Sequence, residues 1–380
     1  MASDPRKSAI VGPVKLPNGR VQYTVNGSPY EVPAFLELIK VVGYGAYGVV
    51  CSAVHKENNG RRFAIKKVRD VFRDLGDAKR VLREIMMQTT FNHENLLGLV
   101  GVYISGEFET FTDVYIVSEL FDTDLSTVLR SKQRVSDDHA KYFVYQVLRG
   151  LKYLHTAKIM HRDLKPANLL VNINCDLKVC DYGLSRPFDE ADDGAVFTDY
   201  VVTRWYRAPE LLLMNKRYTT AVDIWSVGCI FAEMIMRRPL FQGKDYLAQL
   251  KLICGLLGKP AEDELKHLQN EDAVKYMHRL PDQPAKDLLQ VLPGASPEAV
   301  DFISQMLQFD PARRPSADAL MAHPYMAALH DPTDEPAASA PFEWKHEKSD
   351  LTKDELRELF WAQAQLYPKL GPKAAPAPTA

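Results

Sequence analysis

Apolar and polar positions divide this chain into a β-patterned first third and a helix-patterned remainder. Val21 to Val25 and Ser28 to Val32 alternate in the strand manner on either side of Asn26-Gly27. An Asn-Gly pair suits a turn that needs positive φ, so the two runs read as a small hairpin. From Phe35 to Val68 the text stays strand-like, broken by glycines and by Asn58-Asn59-Gly60. Residues 77–90 suit a helix, and Asp113 to Glu119 reads as a further strand. After Phe121 the period changes. Phe143, Val144, Val147, Leu148, Leu151 and Leu154 recur at helical spacing, and further helices fit 220–237, 245–257, 296–307 and 316–322.

The pattern places a boundary near residues 119–124, between a β-rich lobe and a larger helical one. The flanks differ. Residues 1–20 are polar and proline-punctuated and read as a flexible N-terminus without the apolar run of a signal peptide. Residues 331–344 read as an extended linker. A helix is predicted over 353–366, opened by Thr352 and Glu355 as a capping box, with Leu356, Leu359, Phe360 and Leu366 giving it one apolar face that docks back onto the body. Residues 371–380 are Pro/Ala-rich and read as disordered.

Composition narrows the class. The chain has 380 residues, 46% hydrophobic and 25% charged, and a formal net charge of −2. That length suits two lobes with extensions. The near-neutral balance gives no global attraction to nucleic acid or an anionic membrane, and no apolar run is long enough to span a bilayer. The five cysteines, Cys51, Cys175, Cys180, Cys229 and Cys254, form no Cys-x-x-Cys pair and no metal-spaced cluster, the pattern of reduced thiols.

Five signals in order carry the chemistry. Gly43-Tyr-Gly45-Ala-Tyr-Gly48 lies between two strand-like runs, where glycines let the backbone approach phosphates. A dinucleotide fold would need a helix directly after it, whereas Val49 to Val54 continues as a strand. Ala64-Ile65-Lys66 closes the next strand at a chain distance that lets Lys66 reach α/β-phosphates, and Glu84 on the following helix can pair with it. His161-Arg162-Asp163-Leu164-Lys165-Pro166-Ala167-Asn168 follows a helix. In it Asp163 can accept a hydroxyl proton, Lys165 can offset γ-phosphate charge, and Asn168 can hold a metal. Asp181-Tyr182-Gly183 supplies a carboxylate for magnesium, and Ala208-Pro209-Glu210 anchors the far end of a loop.

Over roughly residues 35–326 the chain resembles a eukaryotic protein kinase. The stretch from Thr198-Asp199-Tyr200 through Thr203, Arg204, Tyr206 and Arg207 to Glu210 narrows the resemblance to the mitogen-activated protein kinases, as do the insertion-like stretch 258–295 and the acidic run after Asp331. With the flanks the resemblance covers about residues 20–368.

The resemblance implies an α+β bilobal fold: an N-lobe over 21–120, a C-lobe over 121–330 and a C-terminal extension over 331–370. It implies an ATP-dependent serine/threonine kinase acting on Ser/Thr-Pro sites, with magnesium or manganese held by Asn168 and Asp181. Nucleotide contacts fall on Val42, Gly43, Gly45, Ala46, Tyr47, Gly48, Val50, Ala64, Lys66, Ser118, Glu119, Phe121, Asp124 and Cys180. Glu119 carbonyl and Phe121 amide are the adenine contacts. Phosphorylation of Thr198 and Tyr200 is the switch. Thr198 phosphate would gather Arg83, Arg162 and Arg186, and Tyr200 phosphate would meet Arg204 and Arg207. Asp331, Asp334 and Glu335 resemble an acidic docking patch for basic motifs. The implied partners are an upstream dual-specificity kinase, phosphatases and docked substrates, with no nucleic acid or membrane. A monomer in the cytoplasm, with access to the nucleus, is expected.

Three residues depart from the family pattern: Tyr182 in place of phenylalanine, Ser118 at the position before the hinge, and Gln88 at a position usually apolar. They form either a polar cluster in which Gln88 or Ser118 bonds the Tyr182 hydroxyl, or a resting state in which Gln88 faces solvent or its helix is displaced.

Overall fold

The structure is a computed structural model that describes residues 10–45, 48–188, 203–215, 218–347 and 350–366. Contacts divide the chain into two units. The first holds residues 1–92, 97–121 and 346–380, and the second holds 93–96 and 122–345.

The first unit is built on strands β1 (Ile10–Lys15), β2 (Arg20–Val25), β3 (Ser28–Pro33), β4 (Leu36–Gly45), β5 (Gly48–His55) and β6 (Arg62–Val68), helix α1 (Leu75–Thr90), and strands β7 (Leu99–Ile104) and β8 (Val114–Glu119). The larger sheet runs β4-β5-β6-β8-β7, antiparallel throughout. β2 and β3 form the hairpin read from the sequence. Asn26 and Gly27, at φ 51° and 77°, make the tight turn between Val25 and Ser28. Its buried Tyr30 donates a 2.5 Å hydrogen bond to the Ile65 carbonyl and meets the Tyr115 ring edge-on.

Strand β1 corrects the expectation of a structureless residues 1–20. Ile10–Lys15 pairs antiparallel with β2 although Val11 and Val14 face solvent. Backbone pairing rather than burial makes this strand, so it leaves no apolar alternation in the sequence.

Helix α1 starts at Asp74, whose side chain accepts the Asp77 N–H at 2.8 Å. Its buried face carries Val81, Leu82 and Ile85 together with the polar Arg83, Glu84 and Gln88. The C-terminal helix Lys353–Leu366 packs against α1 and β7. It opens with the expected reciprocal cap, Thr352 N–H to Glu355 Oε2 at 2.8 Å and Glu355 N–H to Thr352 Oγ1 at 3.3 Å. Leu356 and Phe360 enter the same core as Val81 and Ile85, each burial worth roughly 1.5–3 kcal/mol.

The second unit contains β9 (Thr123–Asp124), α2 (Leu125–Arg130), α3 (Asp137–Thr156), β10 (Ile159–Met160), β11 (Leu169–Val171), β12 (Leu177–Val179), β13 (Arg186–Pro187), α4 (Pro209–Leu212), α5 (Ala221–Met236) and α6 (Tyr246–Leu257). The stretch 258–295 holds three short helices, α7 (Glu262–Leu265), α8 (Glu271–Arg279) and α9 (Leu288–Val291). Helices α10 (Pro297–Met306) and α11 (Ala317–Met321) complete it. Helix α5 is buried nearly along its whole length and contacts α3 and α10. A three-stranded sheet β12-β11-β9 and the pair β10-β13 frame the loops at 161–168 and 180–185.

Candidate active site

In the first unit the site residues share one face of the sheet. Side chains two apart on a strand point the same way, and laterally paired residues do too. Ala64 and Lys66 on β6 pair with Ser52 and Val50 of β5 and with Ser118 and Ile116 of β8. Val50, Ala64, Lys66 and Ser118 therefore face together, and Gly45 pairs with Gly48 in the glycine hairpin. Gly48 is dictated by space: a Cβ there would lie 1.6 Å from the Lys67 carbonyl oxygen. Val42, Glu119 and Phe121 are described, whereas Ala46 and Tyr47 lie outside the described residues.

Lys66 Nζ donates to both carboxylate oxygens of Glu84 at 2.8 Å. Glu84 is buried, so the pair fixes the lysine head more firmly than a surface ion pair would. The expectation of a displaced α1 is not met, and Gln88 does not face solvent. Gln88 is 3% exposed, its Nε2 stands 3.5 Å from Glu84 Oε1, and its Oε1 has no hydrogen-bond partner among the described residues. One residue before Glu84, Arg83 is bound by Glu347.

In the second unit the loop from His161 to Asn168 is hung from one fully buried carboxylate. Asp223 of α5 accepts the backbone N–H groups of His161 at 2.9 Å and Arg162 at 2.8 Å, and its Oδ2 lies 2.9 Å from His155 Nε2. Burial alone would raise the Asp223 pKa. The bond and charge of His155, with help from His161 and the Arg162 N–H, outweigh it and lower the pKa. Arg162 and Asp181 both sit at positive φ, 69° and 68°. Non-glycine residues held there carry of order 1–3 kcal/mol of strain each, which the fixed surroundings hold in place.

Asp163 projects from this loop, 8% exposed. Its Oδ2 accepts Lys165 Nζ at 2.6 Å and Asn168 Nδ2 at 3.1 Å, and Asn168 Nδ2 also reaches the Asp163 carbonyl at 2.9 Å. Burial raises the Asp163 pKa, Lys165 opposes that, and Asp181 adds to it. A carboxylate so placed can orient and accept a hydroxyl proton. Asn168 spends its amide hydrogens on Asp163, which turns its Oδ1 to acceptor duty. Cys180 N–H bonds the Asn168 carbonyl at 2.9 Å and so ties the Asp181 segment to this loop. The amide oxygen of Asn168 and the carboxylate of Asp181 form an all-oxygen set. It fits a hard divalent cation that keeps water and phosphate in its remaining positions.

Tyr182 is fully buried. Its hydroxyl proton goes to the Val179 carbonyl at 2.6 Å, and its ring meets His161 edge-on.

The remaining expected residues separate into groups. Arg204 donates to the Lys244 carbonyl at 3.0 Å and Arg207 to the Tyr246 hydroxyl at 2.8 Å, and both guanidinium groups lie over the Tyr246 ring. Arg162 lies over Tyr218, and Arg186 donates to the Ser185 carbonyl. Thr198 and Tyr200 lie outside the described residues. Asp124 caps α2, accepting the Thr127 N–H and hydroxyl at 2.9 and 2.8 Å.

The acidic run needs a correction. Asp331 is exposed, and Asp334 is exposed while pairing with Arg149 at 3.1 Å. Glu335 is buried at 3%. It accepts the Tyr145 hydroxyl at 3.0 Å, lies 2.8 Å from His330 Nδ1 and 3.6 Å from Lys152 Nζ. Its charge is consumed by the scaffold, so it is no part of a docking surface.

No motif marks Arg314. Its guanidinium makes a fully buried two-point pair with Glu210, at 2.7 and 2.8 Å, over the Trp225 ring. The expected anchor at Glu210 is thus a charge pair closed across the unit.

A sequence model described as the protein kinase domain matches residues 36–326. The chain is 48% identical to Extracellular signal-regulated kinase 1 of Dictyostelium discoideum, over 94% of this chain and 67% of that protein. It is 48% identical to Mitogen-activated protein kinase 6 of Oryza sativa subsp. japonica, over 91% and 92% of the two chains. With Mitogen-activated protein kinase 4a of Physcomitrium patens the identity is 47%, over 93% of each. These likenesses span the fold and both sets of site residues, and the chain belongs to the mitogen-activated protein kinase family of serine/threonine protein kinases.

Proposed function

We propose that this kinase is proline-directed, transferring the ATP γ-phosphoryl to Ser/Thr-Pro sites, and that phosphorylation of Thr198 and Tyr200 switches it on. The observation that carries the reading is the Asp163 cluster: a buried carboxylate steered by Lys165 and Asn168 on a loop suspended from Asp223. Asp163 orients the acceptor hydroxyl and takes its proton, and Lys165 offsets charge on the moving phosphoryl. Lys66, held by Glu84, neutralises the α- and β-phosphates. Asn168 and Asp181 would hold Mg2+, which would supply electrostatic stabilisation to the phosphates. The face formed by Val50, Ala64 and Ser118 covers the adenine, with hydrogen bonds from Glu119 and Phe121.

Arg204 and Arg207, gathered on Tyr246, are the expected partners of Tyr200 phosphate. Pairing of that phosphate with these arginines would open a shallow pocket that admits proline after the acceptor. Arg83, Arg162 and Arg186 are assigned to Thr198 phosphate. Asp331 and Asp334, both exposed, are assigned to basic docking motifs of an upstream dual-specificity kinase, of phosphatases and of substrates. The protein acts as a cytoplasmic monomer with access to the nucleus.

Phosphate mapping after incubation with ATP and Mg2+, with Lys66→Arg as the control, tests the reading. Phosphate on substrate Ser/Thr-Pro sites with the wild type and none with the control is expected. Transfer that survives Lys66→Arg would overturn it.

A further inference from the structure

In the second unit a groove of about 690 Å3 lies between α2 with the loop after it, the turn Arg204–Tyr206, and the C-terminal end of α5. Its apolar lining includes Leu129, Trp205 and Met234. Its charge is lopsided. Among the described residues the one carboxylate lining it is Glu233, which accepts the Tyr206 hydroxyl at 2.6 Å and whose pKa burial raises. Four cations face it. Arg237 is spent on the carbonyls of Val128, Leu129, Ser131 and Gln133, where it closes the C-terminal end of α2. Arg130 bonds the hydroxyls of Ser126 and Thr127, and its charge acts on Glu233, against the effect of burial. Lys132 and Arg134 are exposed and make no ion pair among the described residues.

We propose that this groove is a substrate subsite that selects an anionic side chain, a carboxylate or a phosphorylated residue, several positions along the chain from the acceptor hydroxyl. The inference rests on the phosphotransfer reading and adds a specificity term to it. Charge complementarity names the occupant: two exposed cations, Lys132 and Arg134, without acidic partners among the described residues rim a partly apolar groove whose lone carboxylate is tied down by the Tyr206 hydroxyl. Helix α5 supplies the ruler. Asp223 at one end holds the backbone beside Asp163, and Glu233 lines the groove at the other. They are separated by about 15 Å along the helix at roughly 1.5 Å per residue. An extended peptide covers that span in about four or five residues.

The test is a series of Ser-Pro peptides in a neutral background, with one glutamate walked through about six positions on either side of the acceptor. Each peptide is assayed with the loop-phosphorylated wild type and with the Lys132→Ser/Arg134→Ser double variant. A gain in kcat/KM of about fivefold at one or two adjacent positions is expected, carried by KM and reduced at high salt. The double variant should lose the gain while turning over the acid-free peptide normally. Phosphoserine at the favoured position should do at least as well as glutamate, and better performance would name a previously phosphorylated substrate as the preferred one. A flat profile, or a gain that survives the double substitution, would overturn the subsite. No transfer to the acid-free peptide by the wild type would overturn the transfer reading itself, and the subsite with it.

Discussion

Glu347 grips Arg83 through two parallel hydrogen bonds, Nε to Oε2 and Nη2 to Oε1, both at 3.0 Å. Arg83 is buried on α1, directly before the glutamate that holds Lys66. The stretch ahead of the C-terminal helix therefore neutralises an arginine assigned to Thr198 phosphate. Carboxylate and phosphate oxygens present the same two-point acceptor to a guanidinium. Glu347→Gln should destabilise the unphosphorylated protein by about 1–3 kcal/mol, the range for a charged hydrogen-bonded partner. The loss should shrink once Thr198 is phosphorylated. Denaturant unfolding of both forms checks this, and an equal loss in the two would show that the phosphate does not reach Arg83.

Gln88 carries a buried amide oxygen with no partner among the described residues. Such a group costs about 1–3 kcal/mol. Gln88→Leu, close in volume, should raise the unfolding midpoint in denaturant. A fall would mean that the amide oxygen has a structural role that leucine cannot supply.

Two aspartates separate chemistry from scaffold. Asp223→Asn leaves one oxygen to serve two backbone N–H groups and should cost stability by about 1–3 kcal/mol as well as lowering activity. Asp163→Asn should abolish turnover without that loss. The Asp163 pKa is raised in the fold, so its charged form costs stability at neutral pH, and that cost disappears as pH falls through the folded pKa. The same shift sets the rate profile. The acidic limb of kcat/KM should fall at a pH above that of an ordinary aspartate, because the base is lost on protonation.

The acidic run divides in the same way. Asp331→Asn with Asp334→Asn should weaken activation by the upstream kinase and spare phosphorylation of a short peptide. Glu335→Gln should instead lower thermal stability, since Tyr145, His330 and Lys152 share its carboxylate. Isothermal titration with a basic docking peptide and thermal melts distinguish the two outcomes.

The parts legible in the sequence are those written locally. Lys66 closes an apolar strand, Asp163 and Asn168 sit in one octet, and the helices at α1, α3 and α5 follow apolar spacing. Asp223 and Arg314 were not legible, because each meets its partners across long stretches of chain. The one local signal was an acid inside the apolar run Val222-Asp223-Ile224-Trp225. Glu335 misled because an Asp/Glu/Pro run reads as solvated, while contacts from α3 bury it. Strand β1 was invisible because neighbouring backbone holds it, with its valines outside.

The most direct measurement compares a Ser-Pro peptide with its Ser-Ala twin, using the protein before and after phosphorylation of Thr198 and Tyr200 is verified by mass spectrometry. The account predicts transfer that depends on loop phosphorylation and favours Ser-Pro by about tenfold or more, roughly 1.4 kcal/mol of discrimination. Equal turnover of the two peptides, or full activity with an unphosphorylated loop, would contradict it.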